Sequence, residues 1–254
     1  MKESFCHPLK GWFLKQKEEI KLLYYSIPAV VVALFVISVV TMNLLANKTI
    51  YENSWIAIDG GILVSWLSFL CMDVITKHFG PRASFKITIF AMFVNLLCCF
   101  IFWIVSIIPT VQDFSAFNMI FGGTWFVLLD STIAFFLSGL VNIWLNFFVG
   151  FIFKKNPDGK LAFFVRSYVS TFIGQFVDNL IFATLTFMVF APIYWGFDWS
   201  FLQCVTCSIL GAIIELVFEV IFSPFGYWVV KRWRRNDVGK SYIEFVEAHS
   251  KWKF

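Results

Sequence analysis

The sequence predicts an all-α, polytopic membrane protein with six transmembrane helices and both termini in the cytoplasm, and three observations carry that prediction. Apolar residues make up 59% of the 254 and charged residues only 14%, with a mean hydropathy of +0.79, whereas roughly a quarter of a soluble domain is charged. Six apolar runs come close to the roughly 20 residues that a helix needs to cross a bilayer core. Nineteen of the twenty Lys and Arg residues fall in alternate segments between those runs when Arg166, at the edge of the fifth run, is counted with the segment before it, which assigns these segments to the cytoplasmic side.

The chain opens on a leader, residues 1–23, that mixes Phe5, Trp12, Phe13 and Leu14 with five lysines. Such a mixture suits a short helix lying in the membrane interface or a solvated cytoplasmic leader. The first run, 24–45, is longer than the apolar core of a signal peptide and ends in no small-x-small cleavage site, so it reads as a retained span. The second and third runs cover 60–76 and 87–108. The fourth, 124–153, is longer than a membrane requires and contains Gly139 and Gly150; tilt is the expected accommodation, a break in the helix the alternative. The fifth and sixth cover 163–190 and 202–230, and a basic cytoplasmic tail, 231–254, closes the chain. None of these runs alternates apolar with polar residues, which excludes the strands of a closed barrel. The transmembrane domain is thus expected over 24–230.

The charge pattern explains the pI of 8.7 as a matter of topology, with no need for nucleic acid. A basic cytoplasmic rim also favours anionic lipid head groups. Most of the cysteines sit inside predicted spans, where Cys behaves as a small apolar residue. Cys204 and Cys207 have the spacing of a redox or metal pair but no second pair of ligands, so no metal and no cofactor is expected. His7, His78 and His249 all lie outside the predicted spans. The chain contains no G-x-x-x-x-G-K-[ST] loop, no H-E-x-x-H helix and no G-x-S-x-G elbow, so it supplies neither bound nucleotide nor a recognised hydrolytic centre.

Charged and amide side chains inside a span are costly, about 2.5 to 3.5 kcal/mol for a charge at mid-helix, and generally face a cavity or a partner. Asp73 closes the second run and Asn95 lies in the third. The fourth carries Asp130, Asn142 and Asn146; the fifth Arg166, Gln175, Asp178 and Asn179; the sixth Glu215 and Glu219. Ser167, Thr171, Gly174, Gln175 and Asp178 recur at steps of three and four, as do Cys204, Ser208, Gly211, Glu215 and Glu219, so each helix has one small or polar face. Packing between helices accounts for the small residues. It accounts less well for the carboxylates, since Arg166 alone cannot neutralise Asp178, Glu215 and Glu219.

The segments "NLLANK" (43–48), "DVITKHFG" (73–80) and "GKLAFFVRSYVSTFIGQFVDNLIF" (159–182) together resemble the vitamin uptake transporter family, six-span membrane proteins that include bacterial queuosine-precursor transporters. The resemblance covers the first five spans and is best in the fifth, where Arg166, Ser170, Thr171, Asp178, Ile181 and Phe182 match the family's motif. The chain departs from the pattern at Lys77 and Asn142, where the family has acidic residues. The resemblance implies a flat 7-deazaguanine substrate with two N–H donors beside a carbonyl. Such a ligand needs a carboxylate acceptor, an amide or Arg donor and aromatic faces. Asp178 and Glu215 are the candidate acceptors. Gln175, Asn179, Asn142, Asn146 and Arg166 are the candidate donors, and Trp125, Trp144 or neighbouring Phe residues the candidate stacking partners.

The expected function is therefore import of a small heteroaromatic metabolite across the plasma membrane, a queuosine precursor first among them, by alternating exposure of a site between the fourth, fifth and sixth helices. Asp178, Glu215 and Asp73 are the candidates for proton coupling. A second reading is a substrate-binding component of an energy-coupling-factor importer, which would need an ATPase partner. A third, an intramembrane enzyme using paired carboxylates such as Asp130 and Asp178, has no catalytic pattern behind it. A homo-oligomer is compatible with the sequence but nothing specifies one.

Overall fold

The computed structural model describes residues 6–122, 124–152 and 160–249, and within them the side chains outside 6–13, 73, 124, 139–140, 142–152, 160–167, 170–171, 219 and 223. Helix α1 (Cys6–Ser26) meets α2 (Ala29–Leu45) at a bend of 99°. The cause is local. Pro28, at φ −59° and ψ 120°, has no N–H to continue a helix and pushes the residue before it out of the helical region. The first span accordingly begins at Ala29, not at residue 24, and Tyr24 and Tyr25 belong to a helix set nearly at right angles to it, as an interfacial helix would be.

A short antiparallel hairpin follows, β1 (Thr49–Glu52) paired with β2 (Ala57–Asp59). Its turn is closed by the Asn53 side chain, whose Oδ1 accepts from the N–H groups of Trp55 and Ile56 at 2.8 and 2.7 Å, the local bonding that makes Asn a turn residue. Helix α3 (Ile62–Phe79) then runs back beside α2, and Gly80, at φ +86°, turns the chain into α4 (Pro81–Ile107). Next come α5 (Ser115–Gly122), α6 (Thr124–Ile152), α7 (Lys160–Ala183), a π-helical stretch Thr184–Phe190 and the single turn α8 (Ala191–Tyr194). Helix α9 (Phe201–Arg235) starts on a capping box between Ser200 and Gln203, and α10 (Lys240–His249) ends the described chain. The fourth expected span is one uninterrupted helix despite Gly139 and Gly150; the irregularity falls in the fifth, at the π-helical stretch.

Among the described residues five helices are long and apolar enough to cross a membrane by themselves, and the bent pair α1–α2, whose second helix has 17 residues, brings the number to as many as six. The protein is a multi-pass helical membrane protein. Large apolar side chains such as Phe93, Leu96 and Phe100 stand exposed along α4, where lipid replaces the missing neighbours.

The leader helix, the α3–α4 turn and the tail helix are gathered at one end of the bundle. Tyr242 of α10 is buried and its hydroxyl donates to Glu19 Oε1 at 3.4 Å, while Lys86 pairs with the same carboxylate at 2.7 Å. His78 Nε2 donates to the Val238 carbonyl and Arg234 Nη2 to that of Lys77, at 2.8 and 3.0 Å. Beneath these polar contacts Leu23, Ile75, Phe79, Ile87, Trp233, Tyr242 and Val246 form a continuous apolar core. Gly239 is required here: at φ +69° it sits so close to α3 that a Cβ would collide with the Phe79 ring.

Candidate substrate-binding site

The polar faces of α7 and α9 meet. Gly211 of α9 permits it, because a Cβ there would lie 2.7 Å from Asn179 Nδ2, and one turn further along Glu215 Oε2 accepts from the same Asn179 amide at 3.4 Å. Asp178 turns the other way, toward α6, and its Oδ1 accepts from Ser138 Oγ at 2.7 Å. The small residues of the α9 stripe therefore serve close helix approach, while its carboxylate reaches a polar partner on α7.

The hairpin adds a third carboxylate. Asp59 is buried ahead of α3, with Oδ1 accepting from the Gly61 N–H at 2.7 Å and Oδ2 in contact with Cys207 Sγ at 3.7 Å. Burial pushes its pKa up to about 6, while the Gly61 and Cys207 hydrogen bonds oppose the rise. Gly60 and Gly61 let this corner press against the end of α2: added Cβ atoms would lie 2.6 Å from the Leu45 carbonyl oxygen and 2.8 Å from that of Met42.

Between these groups lies an open cavity, about 450 Å³ with the solvent at its mouth included, walled by α2, the hairpin corner, α3, α6, α7 and α9. Asp59, Asp178 and Glu215 all line it, with Asn43, Ser65 and Asn179 among the neutral polar groups and Phe69 and Phe182 among the apolar ones. None of the lining residues is basic. Asn43 is 7% exposed and its Nδ2 has no hydrogen-bond partner, so a donor stands unused on the cavity wall. Leaving a buried donor unpaired costs about 1 to 3 kcal/mol, which a ligand carbonyl would recover. Carboxylate acceptors facing amide donors, with phenyl rings beside them, is the arrangement that a flat heterocycle with N–H donors next to a carbonyl requires.

A second open cavity, about 500 Å³ with the solvent at its mouth included, adjoins the first and shares Met42, Phe69, Ser131 and Asp178 with it. Its remaining walls are mostly apolar and come from α2, α3, α4 and α6.

Of the residues singled out in the sequence, Asp178, Asn179 and Glu215 are brought together on the first cavity. Gln175 is buried one turn before Asn179 with neither amide atom paired, and it lines neither cavity. The side chains of Asn142, Asn146, Arg166, Asp73, Glu219 and Trp144 lie outside the described residues. Trp125 belongs to a separate ring cluster with Phe126, Phe190 and Tyr194; the rings at the cavity are Phe69 and Phe182. Asp130 and Asp178 do not form a pair: Asp130 Oδ2 accepts from Thr186 at 2.8 Å, whereas Asp178 bonds Ser138, and residues 130 and 138 are about 12 Å apart along a helix. Cys204 and Cys207 face different partners, the Ala183 carbonyl and Asp59. Asn43, Asp59 and Ser65 were not anticipated. Asn43 opens the "NLLANK" segment and Asp59 directly precedes two glycines and an apolar helix, which are the only local signals they carry.

A family model described as "Putative vitamin uptake transporter" matches residues 59–229, from the third cavity carboxylate to near the end of α9. No curated protein and no solved structure matches the sequence. The match spans the helices that carry Asp178, Asn179 and Glu215, and the chain belongs to the vitamin uptake transporter family.

Proposed function

We propose that this protein imports a small heteroaromatic metabolite across the plasma membrane, a queuosine precursor of the 7-deazaguanine class, by alternating access to the cavity between the hairpin corner and helices α2, α3, α6, α7 and α9. The observation that carries this reading is the convergence of Asp178 and Glu215 with the unpaired Asn43 amide around unfilled space. One carboxylate accepts the paired N–H donors of the base, Asn43 or Asn179 donates to its carbonyl, and Phe69 or Phe182 covers a ring face. The protein acts in this reading as a carrier and performs no reaction on its cargo. Both termini face the cytoplasm, as the distribution of Lys and Arg demands, so the hairpin corner faces outward and the cargo moves toward the gathered tail end.

Cells unable to synthesise queuosine provide the test. Labelled 7-deazaguanine precursor enters them when this protein is present; equal labelling with and without the protein overturns the reading. Coupling to protons would run through Asp178 or Glu215, with Asp73 nearer the tail end. Uptake that does not respond to an imposed pH gradient rejects that coupling and leaves a passive carrier.

The absence of any nucleotide-binding loop from the chain, together with the vitamin-uptake description of its family, favours one alternative, a substrate-binding component that works with an ATP-driven partner. Purified protein in liposomes separates the two. Exchange of labelled base without an added ATPase supports the carrier, and binding without exchange supports the component.

A further inference from the structure

We propose that the second cavity is a transit station for the same flat ligand, entered from the first past Met42 and Phe69, with Asp178 held against the ligand in both positions. The proposal rests on the import reading above. The two cavities share those three residues and Ser131, and they open onto about 450 and 500 Å³ of space that includes the solvent at their mouths, so a heteroaromatic base enters each by displacing flexible walls such as Met42. Their order along the bundle follows from the walls. On α2 the first cavity uses Met42, Asn43 and Ala46 and the second Phe35, Val39 and Met42; on α3 the first uses Ile62 and Ser65 and the second Ser68 and Met72. Because α2 and α3 run in opposite directions from the hairpin, both displacements point toward the tail end, by about 7 Å at 1.5 Å per residue. Thr88, on α4, extends the second cavity in the same direction, and beyond it Ile75, Phe79 and Ile87 seal the route within the apolar core.

The chemistry of the second cavity is that of a passage. An accidental packing void would be lined by apolar groups throughout and stay dry. Here Ser68, Thr88, Ser131 and Asp178 face it, and the Thr88 hydroxyl oxygen is buried with no partner. The other walls include Met42, Met72 and Met92, unbranched side chains that reshape around a ring at low cost. A base leaving the first cavity exchanges the paired amides for apolar contact and one hydroxyl while Asp178 keeps its N–H donors, so no step strips the ligand of every polar partner. Asp178 is thus a residue of the path as well as of the binding site, and Met42 with Phe69 forms the gate between stations.

Two obstructing variants, Val39→Phe and Thr88→Leu, test this with 7-deazaguanine as the probe. Both positions line the second cavity and neither lines the first. The expected result is binding to purified protein within about threefold of the parent while uptake into cells falls by about tenfold or more. Normal uptake by both variants overturns the transit station and leaves the import reading intact. Parent protein that neither binds nor transports the base overturns the import reading and this one with it. A second measurement avoids dependence on bulky substitutions. The added thiol of Val39→Cys is expected to react with a small membrane-permeant thiol reagent more slowly when the base is present, and an unchanged rate under conditions where the base is bound and transported overturns the proposal.

Discussion

Among the described residues carboxylates are buried between the membrane-spanning helices at Asp130 and at the Asp178–Glu215 cavity, and the two places have different surroundings. Asp130 is fully buried on α6, its Oδ2 held by the Thr186 hydroxyl at 2.8 Å and its Oδ1 without a hydrogen-bond partner. Thr186 reaches it from the π-helical stretch Thr184–Phe190, where the wider turn departs from α-helical spacing. Asp130 lines neither cavity. Asp178 and Glu215 also take donors from neighbouring helices, Ser138 for the first and Ser65 and Asn179 for the second, yet both line the open cavity that the unpaired amide of Asn43 also lines. The lesson is that burial of a carboxylate marks a site only when space and complementary polar groups lie beside it. Where a hydroxyl of the next helical segment meets it away from both cavities, the same group ties two segments together.

Exchanging amide for carboxylate in each place gives the strongest contrast. Asp178→Asn is expected to lower uptake by about tenfold or more, since the acceptor for the ligand's paired donors is halved and hydrogen bonds to charged groups are worth about 1.5 to 3 kcal/mol. Asp130→Asn keeps an oxygen for Thr186 and is expected to transport within about twofold of the parent. Labelled-base uptake normalised to protein in the membrane reads both, and a folded Asp130→Asn protein without transport would erase the distinction.

Gly211→Ala probes the approach of α7 to α9. The added methyl would meet Asn179 Nδ2 at 2.7 Å, so the helices must part or the amide must swing away from Glu215. Overpacking of this kind costs about 1 to 3 kcal/mol, and ligand binding measured by calorimetry is expected to weaken about tenfold. Binding equal to the parent would show that the Asn179–Glu215 geometry is not needed.

Thr186→Val removes the one donor to Asp130 and keeps the shape. It is expected to lower thermal stability in detergent by the equivalent of about 1 to 3 kcal/mol while leaving affinity for the base unchanged. Loss of affinity without loss of stability would move Asp130 from the structural class to the site.

The smallest effect concerns Asp59. Its folded pKa is raised by burial to about 6, above the ordinary value for Asp, so the neutral form is favoured in the folded protein. The sign follows: the contribution of Asp59 to stability is fully present at low pH, below the ordinary carboxylate range, and is lost as pH rises through about 6. Asp59→Asn should therefore flatten the part of the stability profile between about pH 4 and about pH 7. Melting temperatures of parent and variant across that range check it, and parallel curves would show that Asp59 titrates as a solvated group.

The spans and the polar faces of α7 and α9 were legible in the sequence, because lipid imposes its demands on contiguous residues: a helix must be long and apolar enough, and charge must stay out of it. Even the bend before α2 is a local effect of Pro28. The choice of site residues was only partly legible. Asp178, Asn179 and Glu215 share helical faces whose period can be counted, whereas Asn43 and Asp59 join them from a different helix and from a hairpin corner, with Asp59 beside Cys207 far along the chain. No periodicity reports such convergence. It depends on how closely helices pack, which here turns on the missing Cβ atoms of Gly60, Gly61 and Gly211. What the chain alone determined is that it crosses a membrane and which helix faces are polar; which of those faces looks onto empty space was decided by packing between distant segments, since a void is a property of the neighbours that surround it and of no single stretch of sequence.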